Sequence, residues 1–397
     1  MDATILSNDL QSIGVIDAYK SFIWNDRFDE AGDFELYIPI QGDSFPITIE
    51  KGNLLWRAES DRIMIVETIG YEGDLESGWY YIVKGRSYES ILSRRIVWTK
   101  RVFSADNDGN KPNLQNGIAK LLMENAIEPT LEQITKYNVK TPVTEVRKIP
   151  NLIFKESTDE RITKLEFEAQ YLGENLYDVI HTLCVENEIG FKITLNENDQ
   201  FVFELYAGTD RSYGTDDEPQ FKNPYVVFSP KFDNLISTNY IDSNEKLKNV
   251  CLIVGESEYY KAGQDGEEGE EITRLSYELG SEVGLERREI FTDATSLSLE
   301  DDEGGIMTAE RYLAHLKQKG MDTLIDNTPI AAIEAEIEPK SSYVYGQDYF
   351  IGDIVQVIDR FGQEVRAYIS EYISTCDENG SYAYPTFKLI QKGVYEE

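Results

Sequence analysis

The sequence predicts an α+β chain that is mainly β, with β-rich regions at both ends and an α/β segment between them. Three observations predict it. Period-2 alternation of apolar residues crowds the first hundred residues and returns after residue 208. Two helical stripes and a hairpin fall in between, and one further helix interrupts the last region. At 397 residues the chain is long enough for two to four domains, at roughly 100–200 residues each. The pattern divides it at 1–105, 106–207 and 208–397, with approximate borders.

The first region opens on "SFIWNDRFDEAGDFELYIPI", residues 21–40. Phe34, Leu36, Ile38 and Ile40 point one way and Glu35, Tyr37 and Pro39 the other, as in a half-buried strand. Gly32 can adopt the positive φ that reverses a chain, so a hairpin is expected here. "LLWRAE", "RIMIVETIGY" and "GWYYIVKGRS" continue the β pattern, with Trp79, Tyr81 and Val83 on one face. A helical turn, "SYESILSRR", follows, with Ser87 as its N-cap. Short strands with polar turns suggest a small barrel or sandwich.

In the middle region, Leu114, Ile118, Leu121 and Leu122 share one helical face behind an Asn113 N-cap. Residues 128–170 give few signals. Leu176, Val179, Ile180 and Leu183 form a second stripe, with Gly190 as its C′ stop. "GFKITL" and "FVFELY" then read as a hairpin across "NENDQ".

The last region offers "PYVVFS", "LISTNYID", "KNVCLIVG", "RLSYEL" and "RREIF" as strands, then a helix from Thr308 to about Asp326. "AAIEAEI" alternates strictly, and "GDIVQVID", "EVRAYISEYIS" and "YPTFKLI" are joined by turns.

Composition narrows the function. There are 73 acids against 38 bases, a net charge of −35, which repels nucleic acid phosphates and anionic membranes. Sequence-specific DNA binding is therefore not expected. Cys184, Cys251 and Cys376 are scattered and form no CxxC, as buried small hydrophobes of a reducing compartment would. The N-terminus has acids where a signal peptide needs bases, and no apolar run approaches the roughly 20 residues of a membrane span. A soluble protein is the expectation.

Catalytic motifs are missing. His181 and His315 are lone histidines, better suited to structural roles than to zinc. Neither GxSxG nor GxxxxGK[ST] occurs. "DNDGNK" places Asp106, Asp108 and Asn110 at EF-hand spacing, but Lys111 replaces the turn glycine and Gly117 the bidentate glutamate. "QDGEEGEE", residues 264–271, carries Asp265, Glu267, Glu268, Glu270 and Glu271; "LEDDEGG" spans 299–305. Both acidic loops read as solvated tips, with a divalent ion left open. Paired carboxylates could serve a glycosidase, but no context singles out a pair. The 25 tyrosines suit protein contacts or sugar platforms. From the residues, then, there is no catalytic, cofactor or metal site to assign.

Several segments converge on a known family. "VIDAYKSFIWNDRFDEAGDFELYIPI", "GNLLWR", "YYIVKGRSYESILSRRIV", "GENLYDVIHTLCVENEIGFKI", "DNLISTNYIDSNEKLKNVCLIVG" and "YGQDYFIGDIVQVIDRFGQEVRAYISEY" come in an order that resembles tail-tip hub proteins of long-tailed bacteriophages. The chain is also similar to baseplate hubs of contractile tails and to the N-terminal part of tail-associated lysins. The resemblance spans about 15 to 390, and the order of segments carries it.

It implies a homotrimer in which each subunit supplies two tail-tube-like antiparallel β-barrel domains, possible from non-contiguous segments. It also implies docking on the distal tail protein, neighbours among tail tube, tape-measure, tail fibre or receptor-binding proteins, and DNA passing through the assembly. The site would be the virion tail, assembled in the host bacterial cytoplasm. The chain stops soon after the last expected strand, which argues against lytic activity within it. A receptor- or glycan-binding tail module is the alternative, and a carboxylate-based cell-wall hydrolase a more distant one.

Overall fold

The computed structural model describes residues 2–40, 49–74, 78–106, 108–129, 146–213, 224–255, 259–261, 270–272, 275–300, 305–337 and 342–389. The N-terminal region forms β1 (Ala3–Leu6), β2 (Ser12–Ile16), β3 (Ser21–Arg27), β4 (Asp33–Pro39), β5 (Leu54–Trp56), β6 (Ile63–Asp74) and β7 (Gly78–Ser87). A 3-10 turn at Tyr88–Arg94 and β8 (Arg101–Phe103) follow. The middle region holds α1 (Leu114–Leu122), β9 (Leu152–Lys155), α2 (Glu160–Thr163), β10 (Ala169–Tyr171), α3 (Leu176–Glu186), β11 (Gly190–Leu195) and β12 (Phe201–Tyr206). Then come β13 (Val227–Phe228), β14 (Leu235–Ser243), β15 (Val250–Val254), β16 (Tyr259–Lys261), β17 (Glu270–Ile272), β18 (Ser276–Leu279) and β19 (Glu289–Asp293). The chain finishes with α4 (Ala309–Ile325), β20 (Ile330–Ile337), β21 (Ile354–Ile358), β22 (Glu364–Asp377) and β23 (Gly380–Leu389).

The mainly β class holds, and the expected hairpins form at β3–β4 and β11–β12. No closed barrel forms among the described residues. Instead, 13 strands share one sheet whose main path runs β14-β20-β23-β22-β3-β4-β7-β6-β5-β1-β2. The junction is the antiparallel ladder of β22 with β3, from Glu371↔Arg27 to Asp377↔Ser21. Strand β22 pairs β23 along one side. On the other it pairs β21 first and β3 after an irregularity between Ile369 and Glu371. There the Phe28 amide donates to the Ser370 carbonyl at 3.0 Å. A bulge of this kind bends a strand, and here it passes β22 from one neighbour to the next.

Four apolar cores result. Phe22, Trp24, Phe34, Leu36 and Val83 centre the N-terminal core. Phe228, Val355, Ala367, Ile369 and Phe387 centre that of the C-terminal strands. The helical segment packs Leu114, Ile118, Leu121, Leu176, Ile180, Leu183, Phe191 and Phe203 together, with Leu54, Ile63 and Ile65 of the first region joining them. In the fourth, α4 covers one face of the small sheet β18-β15-β19 through Tyr312, Leu316 and Leu324.

Three local expectations change. Ser87 makes no side-chain cap to the 3-10 turn; its Oγ instead accepts from the Gly32 amide at 2.8 Å. Gly32 does not have a positive φ but is needed for space, since a Cβ there would lie 2.1 Å from the Asn25 carbonyl oxygen. Glu188, at φ +53°, is the left-handed residue after α3, and Gly190 begins β11 against Phe28. Asn113 caps α1 as expected, accepting from the Asn116 amide at 3.1 Å. No helix among the described residues is long and apolar enough to cross a membrane.

Candidate assembly surface

The large sheet ends in two open edges. β2 pairs only with β1, and β14 only with β20, among the described residues. An unpaired edge presents a row of backbone donors and acceptors that another chain can complete. Both edges also carry exposed apolar side chains: Ile13 at 47% and Val15 at 59% on β2, and Ile236 at 57% and Tyr240 at 50% on β14. Along β14 only Leu235 is buried, so the strand projects both faces outward.

Between those edges, buried charges lock the N-terminal sheet to the helical core. Arg62 (2% exposed) pairs with Glu89 (0%). Its guanidinium also donates to the Phe191 carbonyl at 3.1 Å, the Arg27 carbonyl at 3.1 Å and the Tyr206 hydroxyl at 2.8 Å. Glu89 in turn accepts from the Ile193 amide at 2.8 Å. Burial disfavours the Arg62 charge, but Tyr206, Glu89, Asp61 and Asp26 around it hold its pKa well above the ordinary value. Asp26 accepts from Trp24 Nε1 at 3.0 Å, Ser60 Oγ at 3.1 Å and the Tyr345 hydroxyl at 3.3 Å. Burial nevertheless pushes the Asp26 carboxyl up. A cleft of about 480 Å³ opens beside this network, lined by Asp26, Asp61, Lys192, Tyr206, Tyr345 and Asp353. Asp61 is held by Lys192 at 2.6 Å and Asp353 by Arg211 at 2.6 Å, so these charges are spent on structure.

A second groove, of about 450 Å³, runs over the open face of β14, β20, β23 and β22. Glu334, Glu336 and Glu371 line it, with Asn239 and Thr386. Glu371 is committed to the β3–β22 junction, where it pairs with Arg27 at 3.0 Å.

The residues weighed in the sequence fall elsewhere. Asp106 closes its own turn, accepting from the Asp108 and Asn110 amides at 2.9 Å each and from Asn110 Nδ2 at 2.9 Å. Those bonds, the Asn110 side chain's first, lower its pKa. Residues 262–269 and 301–304 of the acidic loops lie outside the described residues, among which no group of three or more His, Cys, Asp or Glu gathers. His181 Nδ1 sits 2.8 Å from the Asp29 carbonyl oxygen, and buried His315 lies 2.6 Å from Ser104 Oγ. Cys184 and Cys251 are buried, whereas Cys376 is only half-buried. Sequence reasoning missed Arg62, Glu89 and Asp26. A charge beside an apolar strand looks like any surface residue until its partners are known.

A family profile described as the Siphovirus ReqiPepy6 Gp37-like protein matches residues 2–387. The chain belongs to this family. Solved structures share the fold of this Gp37-like family member. The 43 kDa tail protein of prophage MuSo2 from Shewanella oneidensis is 14% identical, with 100% of each chain covered and a TM-score of 0.52. A tail protein from Neisseria meningitidis MC58 is 12% identical over 99% of this chain and 97% of that one, also at 0.52. No curated protein matches the sequence. The chain thus belongs to a siphovirus family and shares its fold with phage tail proteins, in line with the resemblance read from its segment order.

Proposed function

We propose that the chain is the subunit of a homotrimeric tail-tip or baseplate hub that encircles the path of the genome. The observation that carries this reading is the single sheet with two open, apolar edges. In a ring, β14 of one copy meets β2 of the next, a head-to-tail contact that closes when the rotation closes. On this reading each subunit contributes two tube-like halves to the ring, and the β22–β3 ladder joins them. Three subunits then offer six similar arcs to a hexameric neighbour, the distal tail protein. Tail tube and tape-measure proteins lie above it, and tail fibre or receptor-binding proteins below. The protein acts as a wall and a docking platform in the virion tail, without catalysis.

Light scattering on the purified protein tests this. The expected mass is three times the 45.4 kDa chain. Tyr240→Lys together with Ile13→Lys should give a folded monomer with an unchanged circular dichroism spectrum. A wild type that remains monomeric both alone and mixed with its distal tail protein overturns the reading.

A further inference from the structure

Helix α4 has two contacts. One is with its own sheet, β18-β15-β19; the other is with α3 and β10 of the helical core. Three side chains meet at the second contact. Gln318 and Asp322 lie one turn apart on α4, and Glu186 is the last residue of α3. Gln318 Nε2 donates to Glu186 Oε1 at 2.7 Å, to Glu186 Oε2 at 2.6 Å and to Asp322 Oδ1 at 3.0 Å. One amide therefore serves two carboxyl groups from two packed units. Neither carboxyl has a salt bridge among the described residues.

We propose that Glu186 and Asp322 form a proton-holding latch that keeps the α4 unit docked on the helical core and loosens when the proton is lost. Two carboxylates sharing one donor repel each other, whereas a carboxylic acid beside a carboxylate adds a hydrogen bond in place of the repulsion. Burial pushes the Glu186 carboxyl well above its usual range, and the Asp322 charge adds to this. Asp322 is also raised by burial, against the pull of Glu186, Gln318 and Lys319. Asp326, the C-cap of α4, also faces Asp322 and favours retention of its proton, while the Tyr171 phenol on β10 feels both carboxyl charges and is itself held well above its ordinary value, by burial first.

The sign follows from the direction of the shifts. Docked carboxyls keep protons that undocked ones release in the ordinary carboxylate range. Docking is fully supported below that range and weakens as pH rises toward the raised values, up to about tenfold per pH unit for each retained proton. Buried His315, on the same face of contact, acts in the opposite sense. Burial lowers its pKa, with Glu168 opposing, so it destabilises docking only when the undocked imidazole is protonated, below about pH 6.5. Replacing His315 removes this opposing effect and isolates the latch.

Hydrogen exchange of the full chain carrying His315→Gln, from about pH 5 to 9 and corrected for intrinsic rates, tests the latch. In that background, the opening equilibrium of amides in α3, α4 and β10 should rise with pH from the ordinary carboxylate range upward, by up to about tenfold per pH unit. Adding Glu186→Gln, which keeps the shape and removes the titration, should flatten that slope. Asp322→Asn serves if Glu186→Gln fails to fold. A flat profile in the His315→Gln background overturns the proposal, as does a slope that persists in a folded variant at either carboxyl.

Discussion

Arg62 and Glu89 show what a buried ion pair does in this molecule. Each is desolvated, and each is held by partners from other segments: Arg27, Phe191 and Tyr206 for the guanidinium, Ile193 for the carboxylate. Removing one partner strands the other charge, which typically costs about 3–5 kcal/mol. Arg62→Met should lower stability by about that amount in urea unfolding, and Arg62→Met with Glu89→Leu should recover a large part of it. Glycine makes a second contrast at the same scale. A methyl at Gly32 would press on the Asn25 backbone, whereas at Gly70 nothing lies within 4 Å. Gly32→Ala should therefore cost about 3 kcal/mol, and Gly70→Ala should change stability by less than about 0.5 kcal/mol. Thermal melts of the two variants measure the difference directly.

At the scale of elements, the caps separate what the sequence discloses from what it withholds. Asn113 both precedes an apolar stripe and bonds the Asn116 amide, so Asn113→Ala should cost about 1 kcal/mol of stability. Ser87 precedes a similar run, yet its hydroxyl serves the Gly32 amide of the first hairpin. Ser87→Ala should therefore raise hydrogen exchange at Gly32 and leave the 3-10 turn's amides unchanged. Strands and helices were legible because local periodicity marks a buried face whatever it packs against, as with Leu36 and Ile38 of β4 or Leu121 and Leu122 of α1. Partners were not legible. Nothing in "SFIWNDR" announces pairing with "EYISTCD", more than three hundred residues away, and that single ladder turns two expected barrels into one open sheet. The assembly surface was missed for the same reason: Tyr240 reads as an ordinary strand residue, and Ile13 carries no signal of its own, until their strands prove to be edges.

For the whole molecule, the question raised by the proposed hub is how so acidic a wall would treat a passing polyanion. The proposed trimer would gather three times a net charge of −35. Its effect on DNA depends on which face the charges occupy. Many sheet carboxylates are neutralised where they stand: Glu35 by Lys84 at 2.8 Å, Glu67 by Arg86 at 2.8 Å, Glu371 by Arg27 at 3.0 Å. Glu334 and Glu336 are different. They line the open groove across β20, and no salt bridge holds either among the described residues; Glu334 only accepts from Asn239 Nδ2 at 3.1 Å. If this face lines the bore of the hub, the pair contributes a repulsive wall along which DNA slides without adhering. Glu334→Lys with Glu336→Lys takes each subunit from −35 to −31, two units per replacement. As surface changes, they should move stability by less than about 0.5 kcal/mol. Phage carrying them should assemble normally and eject their genome more slowly, with the delay shrinking as salt screens the new attraction. Ejection followed by dye fluorescence in purified particles measures this. Wild-type kinetics at low salt would place the acidic face on the outside of the ring instead, where its charge keeps neighbouring virions apart.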